Sequence, residues 1–186
     1  MKSYGQQCAL ARALDVIGER WNLLLVRELL LGPRRYSDLL DGLPGVSTNL
    51  LAGRLAQLQE AGVVGRRVLP APAAATVYEL TEAGRALRPA LAALHAWGQQ
   101  YGPRPNERDA VRPAWALLSV TGHPTPLTPG QIVELRIDHD YFQLAADHER
   151  LTVANGPAAT PTATVSMDPE TLAPLVSISR DCMPGG

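Results

Sequence analysis

The sequence predicts an α+β chain in two parts: helices closed by a β-hairpin, then a small α+β domain with an antiparallel sheet. Three observations predict it. Apolar residues recur at helical spacing as far as Leu58, and two short β-prone runs, residues 63–68 and 76–80, follow them. The formal net charge of −1 on 186 residues resolves into +3 over residues 1–101 and −4 over residues 102–186. Proline changes at the same place, with five of the 16 before Gly102 and eleven after it. A charge asymmetry and a composition break at one point mark two domains with different partners. The expected boundaries are 1–101, a linker over 102–114 with three prolines between Gly102 and Pro113, and 115–186.

Composition narrows the class. With 46% hydrophobic and 19% charged residues, the chain is expected to fold as a globular protein. Cys8 and Cys182 are too few for a disulfide framework and do not form a metal-binding pair. No stretch approaches the ~20 apolar residues of a membrane span, and the start MKSYGQQCALARAL has no apolar signal region. A cytoplasmic protein is expected. Neither a Ser-His-Asp order, a Gly-rich phosphate loop nor an HExxH motif occurs, so no enzyme activity, cofactor or metal is expected.

The elements follow in order. Leu10, Leu14, Ile17 and Trp21 recur at i, i+4, i+7 and i+11, which predicts one face of a first amphipathic helix. Leu23 to Leu31 is apolar nearly all round and predicts a central helix, stopped by Gly32-Pro33. Tyr36, Leu39, Leu40 and Leu43 predict a short third helix, ended by Gly42-Leu43-Pro44-Gly45. Ser47 is a suitable N-cap for a fourth helix carrying Leu51, Leu55 and Leu58. A short helix, a glycine-containing turn and a second helix form a helix-turn-helix, and a hairpin directly after it is a wing. Thr81 is the expected N-cap of a last, long helix running to about Tyr101, kinked at Pro89. Its stripe of Leu87, Leu91, Leu94, Trp97 and Tyr101 is the candidate homodimer interface.

These residues carry a resemblance. Gly18-Glu19-Arg20-Trp21, Arg27-Glu28-Leu29-Leu30, Gly32 to Leu39 and Leu43 to Ser47 resemble the HxlR-type winged-helix transcriptional regulators, relatives of the MarR group. So do Leu51, Arg54-Leu55, Leu58, Glu60 to Val64, Tyr78 to Gly84 and Trp97-Gly98, in the same order, from about Cys8 to Tyr101. The resemblance implies a homodimer on operator DNA, with recognition helix 47–60 and wing 64–80. In that family an N-terminal cysteine at the position of Cys8 is common, and in some members it senses oxidants. Two readings of Cys8 stay open: a redox sensor at a helix start, where the positive dipole end favours a thiolate, or a small apolar interface residue.

The chemistry of the DNA site is readable from residue types. Thr48 and Asn49 at the start of the recognition helix would enter the major groove, where asparagine reads adenine bidentately. Arg54 is long enough for a base edge or a phosphate, or is a solvated helix residue. Ser47 and the free N–H groups beside it suit a phosphate. Arg34 and Arg35 before the third helix, and Arg66 and Arg67 on the wing, are the candidate backbone clamps. Adjacent strand residues point to opposite faces, so one of Arg66 and Arg67 is expected to reach DNA.

For the second domain, Trp115 to Val120 predicts a short helix, and residues 131–137, 141–145, 151–154 and 163–167 predict strands. Asp168-Pro169-Glu170 then has the pattern of a helix start. This order resembles the first part of a sterol carrier protein type 2-like domain, which implies a small apolar effector. The clusters Asp138-His139-Asp140 and Asp147-His148-Glu149 read more simply as polar turns than as metal ligands. The alternative to the DNA-binding reading is an apolar-ligand carrier whose winged helix serves protein contacts.

Overall fold

The computed structural model describes residues 3–71, 74–106 and 108–171. The chain divides into two compact units, residues 1–103 and 104–186. Among the described residues no helix is long and apolar enough to cross a membrane.

The first unit runs α1 (Ala9–Ile17), α2 (Asn22–Leu29), β1 (Arg34–Arg35), α3 (Tyr36–Gly42) and α4 (Thr48–Glu60). It continues with β2 (Val64–Val68), β3 (Thr76–Leu80), α5 (Glu82–Arg85) and α6 (Arg88–Tyr101). The three strands form one antiparallel sheet in the order β1-β3-β2, with Arg66 opposite Tyr78 and Arg67 opposite Val77. One core holds it together: Leu25, Val26 and Leu29 of α2, Leu39 of α3, and Leu51, Leu55 and Leu58 of α4. They meet Val63, Val64 and Leu80. The helices approach closely where Gly42 faces the buried Glu28, since a Cβ on Gly42 would lie 2.6 Å from Glu28 Oε2.

Two expectations for this unit need correction. Trp21 does not extend the face of α1. That helix ends at Ile17, where Gly18 N–H donates to the Leu14 carbonyl at 2.9 Å, and Trp21 caps α2 with a left-handed φ of +83°. Nor is residues 81–101 one kinked helix. Thr81 caps a single turn, α5, accepting from Gly84 N–H at 3.2 Å, and the chain restarts at Arg88 with Pro89 in the first turn of α6. Proline fits that first turn because its missing N–H has no partner there in any case. Arg88 ties α6 back by donating to the Leu30 carbonyl at 2.9 Å.

The second unit runs α7 (Pro113–Val120), β4 (Ile132–Ile137), β5 (Asp140–Asp147), β6 (Arg150–Asn155) and β7 (Ala163–Met167). Its helix begins inside the expected linker, which shortens that linker by two residues at Pro113. The sheet order is β6-β5-β4-β7, and the expected antiparallel sheet is mixed: β7 lies parallel to β4, with Leu135 opposite Val165. Alternation places Leu135, Ile137, Phe142 and Val153 on one face, where all four are buried. Residues 169–171 begin a helix after Asp168. Residues 172–186, with any continuation of the expected helix, the segment Ser179 to Gly186 and Cys182, lie outside the described residues.

Glu134 sits on the other face, buried, accepting from Arg136 Nε at 2.8 Å and from the Ala158 N–H at 2.9 Å. The Arg136 hydrogen bond, and after it the Ala158 bond, hold its carboxyl below the usual glutamate value. A depressed folded value stabilises the unit above the unfolded pKa, and that stabilisation is lost as pH falls through the folded value. NMR titration of the Glu134 side-chain carboxyl is expected to show a midpoint below the about 4.3 of a free glutamate. Glu134→Gln should flatten the acid limb of the unit's stability profile.

Candidate nucleic-acid interface

Helix α4 buries Leu51, Leu55 and Leu58 and leaves Ser47, Thr48, Asn49, Ala52, Gly53 and Ala56 exposed. The two sets alternate at helical period, so one side of α4 anchors it and the other side is a smooth ridge. Ser47 caps the helix, its Oγ accepting from Leu50 N–H at 3.3 Å. Tyr36 Oη of α3 donates to the Thr48 carbonyl at 2.7 Å and pins the two helices of the motif together at this end. A Cβ on Gly53 would meet nothing within 4 Å, so the ridge lies open at its middle.

Arg54 departs from the expected outward display. Its guanidinium donates from Nε to the Arg20 carbonyl at 3.1 Å, from Nη1 to Gln57 Oε1 at 2.7 Å and from Nη2 to Glu19 Oε2 at 2.8 Å. The side chain is only 15% exposed.

The wing arginines differ as alternation requires. Arg67 shares a face with Glu79 and is held by it through two 3.1 Å bonds, Nε to Oε1 and Nη2 to Oε2. The Glu79 hydrogen bonds raise the Arg67 pKa above its ordinary value. Arg66 points to the other face and is exposed. Arg35 is exposed on β1, while Arg34 is half-buried. Ser47, Thr48, Asn49, Arg35, Arg66 and Arg67 are the exposed members of the expected set, and of these Arg67 is held by Glu79.

Cys8 is the exposed N-cap residue of α1. The expected dimer stripe divides: Leu87 and Leu91 pack partly against the core, whereas Leu94, Trp97 and Tyr101 stand 53–64% exposed, as does Leu10 of α1 at 67%. The two histidine clusters occupy turns at opposite ends of the eight-residue β5, about 24 Å apart at ordinary strand rise. They do not converge, and the described residues hold no cluster of potential metal ligands.

Sequence reasoning missed Glu19, Gln57 and Glu79, the partners that occupy Arg54 and Arg67. Glu19 lies 35 positions from Arg54 and Glu79 twelve from Arg67, with no local pattern linking either pair.

A short helix joined by a glycine turn to a capped, half-exposed helix, then a hairpin, is a winged helix-turn-helix. Comparison with known proteins agrees. The sequence profile of the HxlR-like helix-turn-helix family matches residues 16–106. An HTH-type transcriptional regulator of Synechocystis is 39% identical over 97 residues, covering 52% of this chain and 72% of that protein. The chain belongs to the HxlR-like helix-turn-helix family. Another relative, the HTH-type transcriptional regulator YodB of Bacillus subtilis, is 36% identical over 89 residues, 48% of this chain and 80% of YodB. The reduced form of YodB, a solved structure, aligns with a TM-score of 0.47 at 32% identity over 54% of this chain and all of that one. The HxlR match ends at residue 106, ahead of α7, so the sterol carrier resemblance of the second unit has no support from it.

Proposed function

We propose that the chain is a transcriptional regulator that binds operator DNA as a homodimer, with the exposed ridge of α4 in the major groove and the β2–β3 wing on the flanking backbone. The observation that carries this reading is the ridge itself: a capped helix in an HxlR-type helix-turn-helix, anchored by leucines and offering Thr48 and Asn49 outward. Asn49 reads a base edge, Thr48 assists it, and Ser47 with the unpaired N–H groups of the first turn takes a phosphate. Arg35 and Arg66 clamp the backbone, with Arg34 behind them, and Arg67 contributes less because Glu79 neutralises it.

The second copy covers Leu94, Trp97 and Tyr101 of α6 and Leu10 of α1, with Leu87 and Leu91 as their footing on the core. A charge of only +3 over residues 1–101 makes the doubled contacts of a dimer necessary for useful affinity. Residues 102–186 carry −4, which repels the phosphate backbone and leaves the second unit for another role, binding a small apolar effector or a partner. Such a ligand regulates through different affinities for two dimer conformations. Cys8, exposed at the N-cap of α1, is in this reading a candidate oxidant sensor, the other reading being a small apolar interface residue.

Mobility-shift titrations against the protein's own promoter test the reading. Arg66→Ala is expected to weaken all DNA alike and lower the log–log salt slope by about one, whereas Arg67→Ala lowers it less. A protein that shifts no promoter fragment yet binds an apolar ligand tightly is instead a carrier.

A further inference from the structure

We infer that Arg54 is a positioning residue: it locks the recognition helix to the α1–α2 junction and touches no DNA, so the pose of α1 sets the pose of the reading face. This rests on the DNA-binding reading above.

Among the described residues Arg54 is the single cation of α4, and a long arginine on a recognition helix is the first residue to assign to DNA. Its geometry assigns it elsewhere. All three guanidinium nitrogens are engaged, two on the junction at Glu19 and the Arg20 carbonyl and one on Gln57 of its own helix. Swinging out to a phosphate would break a charge-assisted pair and two further hydrogen bonds for one new contact.

The junction is a firm anchor. Asn22 is fully buried and donates from Nδ2 to the Val16 carbonyl at 3.0 Å. The Arg20 guanidinium stacks over the Trp21 ring at 5.2 Å, and Trp21 keeps a left-handed backbone that a bulky residue holds only where its surroundings dictate it. The same Trp21 packs against the core cluster that holds Val46, ahead of α4, and Leu51 and Leu55 of α4. The four residues between α1 and α2 therefore bear on the recognition helix twice, through the Trp21 ring on the core that buries α4 and through Arg54 in its middle. Two points of attachment fix rotation about the helix axis, which decides whether Thr48 and Asn49 face the groove.

Glu19 is 53% exposed, so its pair with Arg54 contributes little to stability. Its loss should register in binding geometry and barely in melting. The test uses an operator duplex recovered by the wild-type protein from random DNA, titrated across a salt series with wild type, Arg54→Ala, Arg54→Lys and Glu19→Gln. Glu19→Gln is expected to weaken operator binding about five- to tenfold, part of the cost of one lost bidentate base contact, although it makes the protein more cationic. Arg54→Lys, which keeps the charge but loses the planar fork, should fall as far as Arg54→Ala. The salt slope stays unchanged in all three, and amides of Leu51 to Leu58 exchange faster in the free Glu19→Gln protein. A direct phosphate contact gives the reverse pattern: Arg54→Ala lowers the slope by about one, lysine restores binding and Glu19→Gln is neutral or tighter. That pattern overturns the inference. If the wild type enriches no sequence, the DNA-binding reading itself fails, and unchanged α4 exchange in Glu19→Gln then overturns the lock on its own.

Discussion

Leu55→Ala is expected to destabilise the first unit by about 2–5 kcal/mol, the usual range for a leucine truncated in a core. Leu55 is 1% exposed and lies among Leu25, Leu39, Leu51 and Leu58, where helices α2, α3 and α4 meet. At about 4–8 °C per kcal/mol for a unit of this size, the melting transition should drop by at least about 8 °C. Gly53→Ala, two positions away on the same helix, is expected to act in the opposite direction. Its new Cβ enters open space, its backbone is already helical, and alanine replaces glycine in a helix interior with a gain of about 1 kcal/mol. Thermal unfolding of the two variants beside the wild type checks both. A Leu55→Ala protein that melts with the wild type would place α4 off the core and remove the basis for its exposed ridge.

Asn49→Ala is expected to cost about 1–3 kcal/mol of specific binding, roughly 5- to 150-fold in affinity. The loss should concentrate at one base pair of each half-site, where the preference for adenine relaxes. Asparagine carries no charge, so the salt slope and the affinity for unrelated DNA should stay as they were. Alanine is also the better helix former, so a weakened variant cannot be explained by a melted helix. Competition titrations with every base at each half-site position read this directly. Uniform weakening over all sequences would move Asn49 from base reading to the backbone.

Much of this architecture was legible because it depends on local patterns. Ser47 and Thr81 declared two helix starts, since capping needs only an oxygen and a nearby N–H. The leucine spacing of α4 marked its buried side, and the hairpin followed from β-prone runs around a proline-rich link. The failures came where distant partners decide the outcome. Trp21 fits the periodicity of α1 by number, yet Gly18 ends that helix and Trp21 takes a left-handed turn with its ring under the Arg20 guanidinium and against the core. Pro89 reads as a kink until the break after α5 gives it a first turn to occupy. The direction of β7 was not readable because alternation reports which face is buried and not which way the strand runs. For the interface, the outward placement of Thr48 and Asn49 followed from the helical period. The engagement of Arg54 and Arg67 did not, because Glu19 and Glu79 come from other elements.

On the proposed function, a dimer of this chain reads DNA through α4. Selection from a pool of random duplex DNA by the full-length wild-type protein, followed by sequencing of the bound fraction, tests it most directly. The expected bound pool carries an inverted repeat whose half-sites lie about one helical turn, some 10 base pairs, apart, with a fixed adenine in each that Asn49→Ala releases. A bound pool indistinguishable from the input, or a motif that Asn49→Ala leaves untouched, would contradict it.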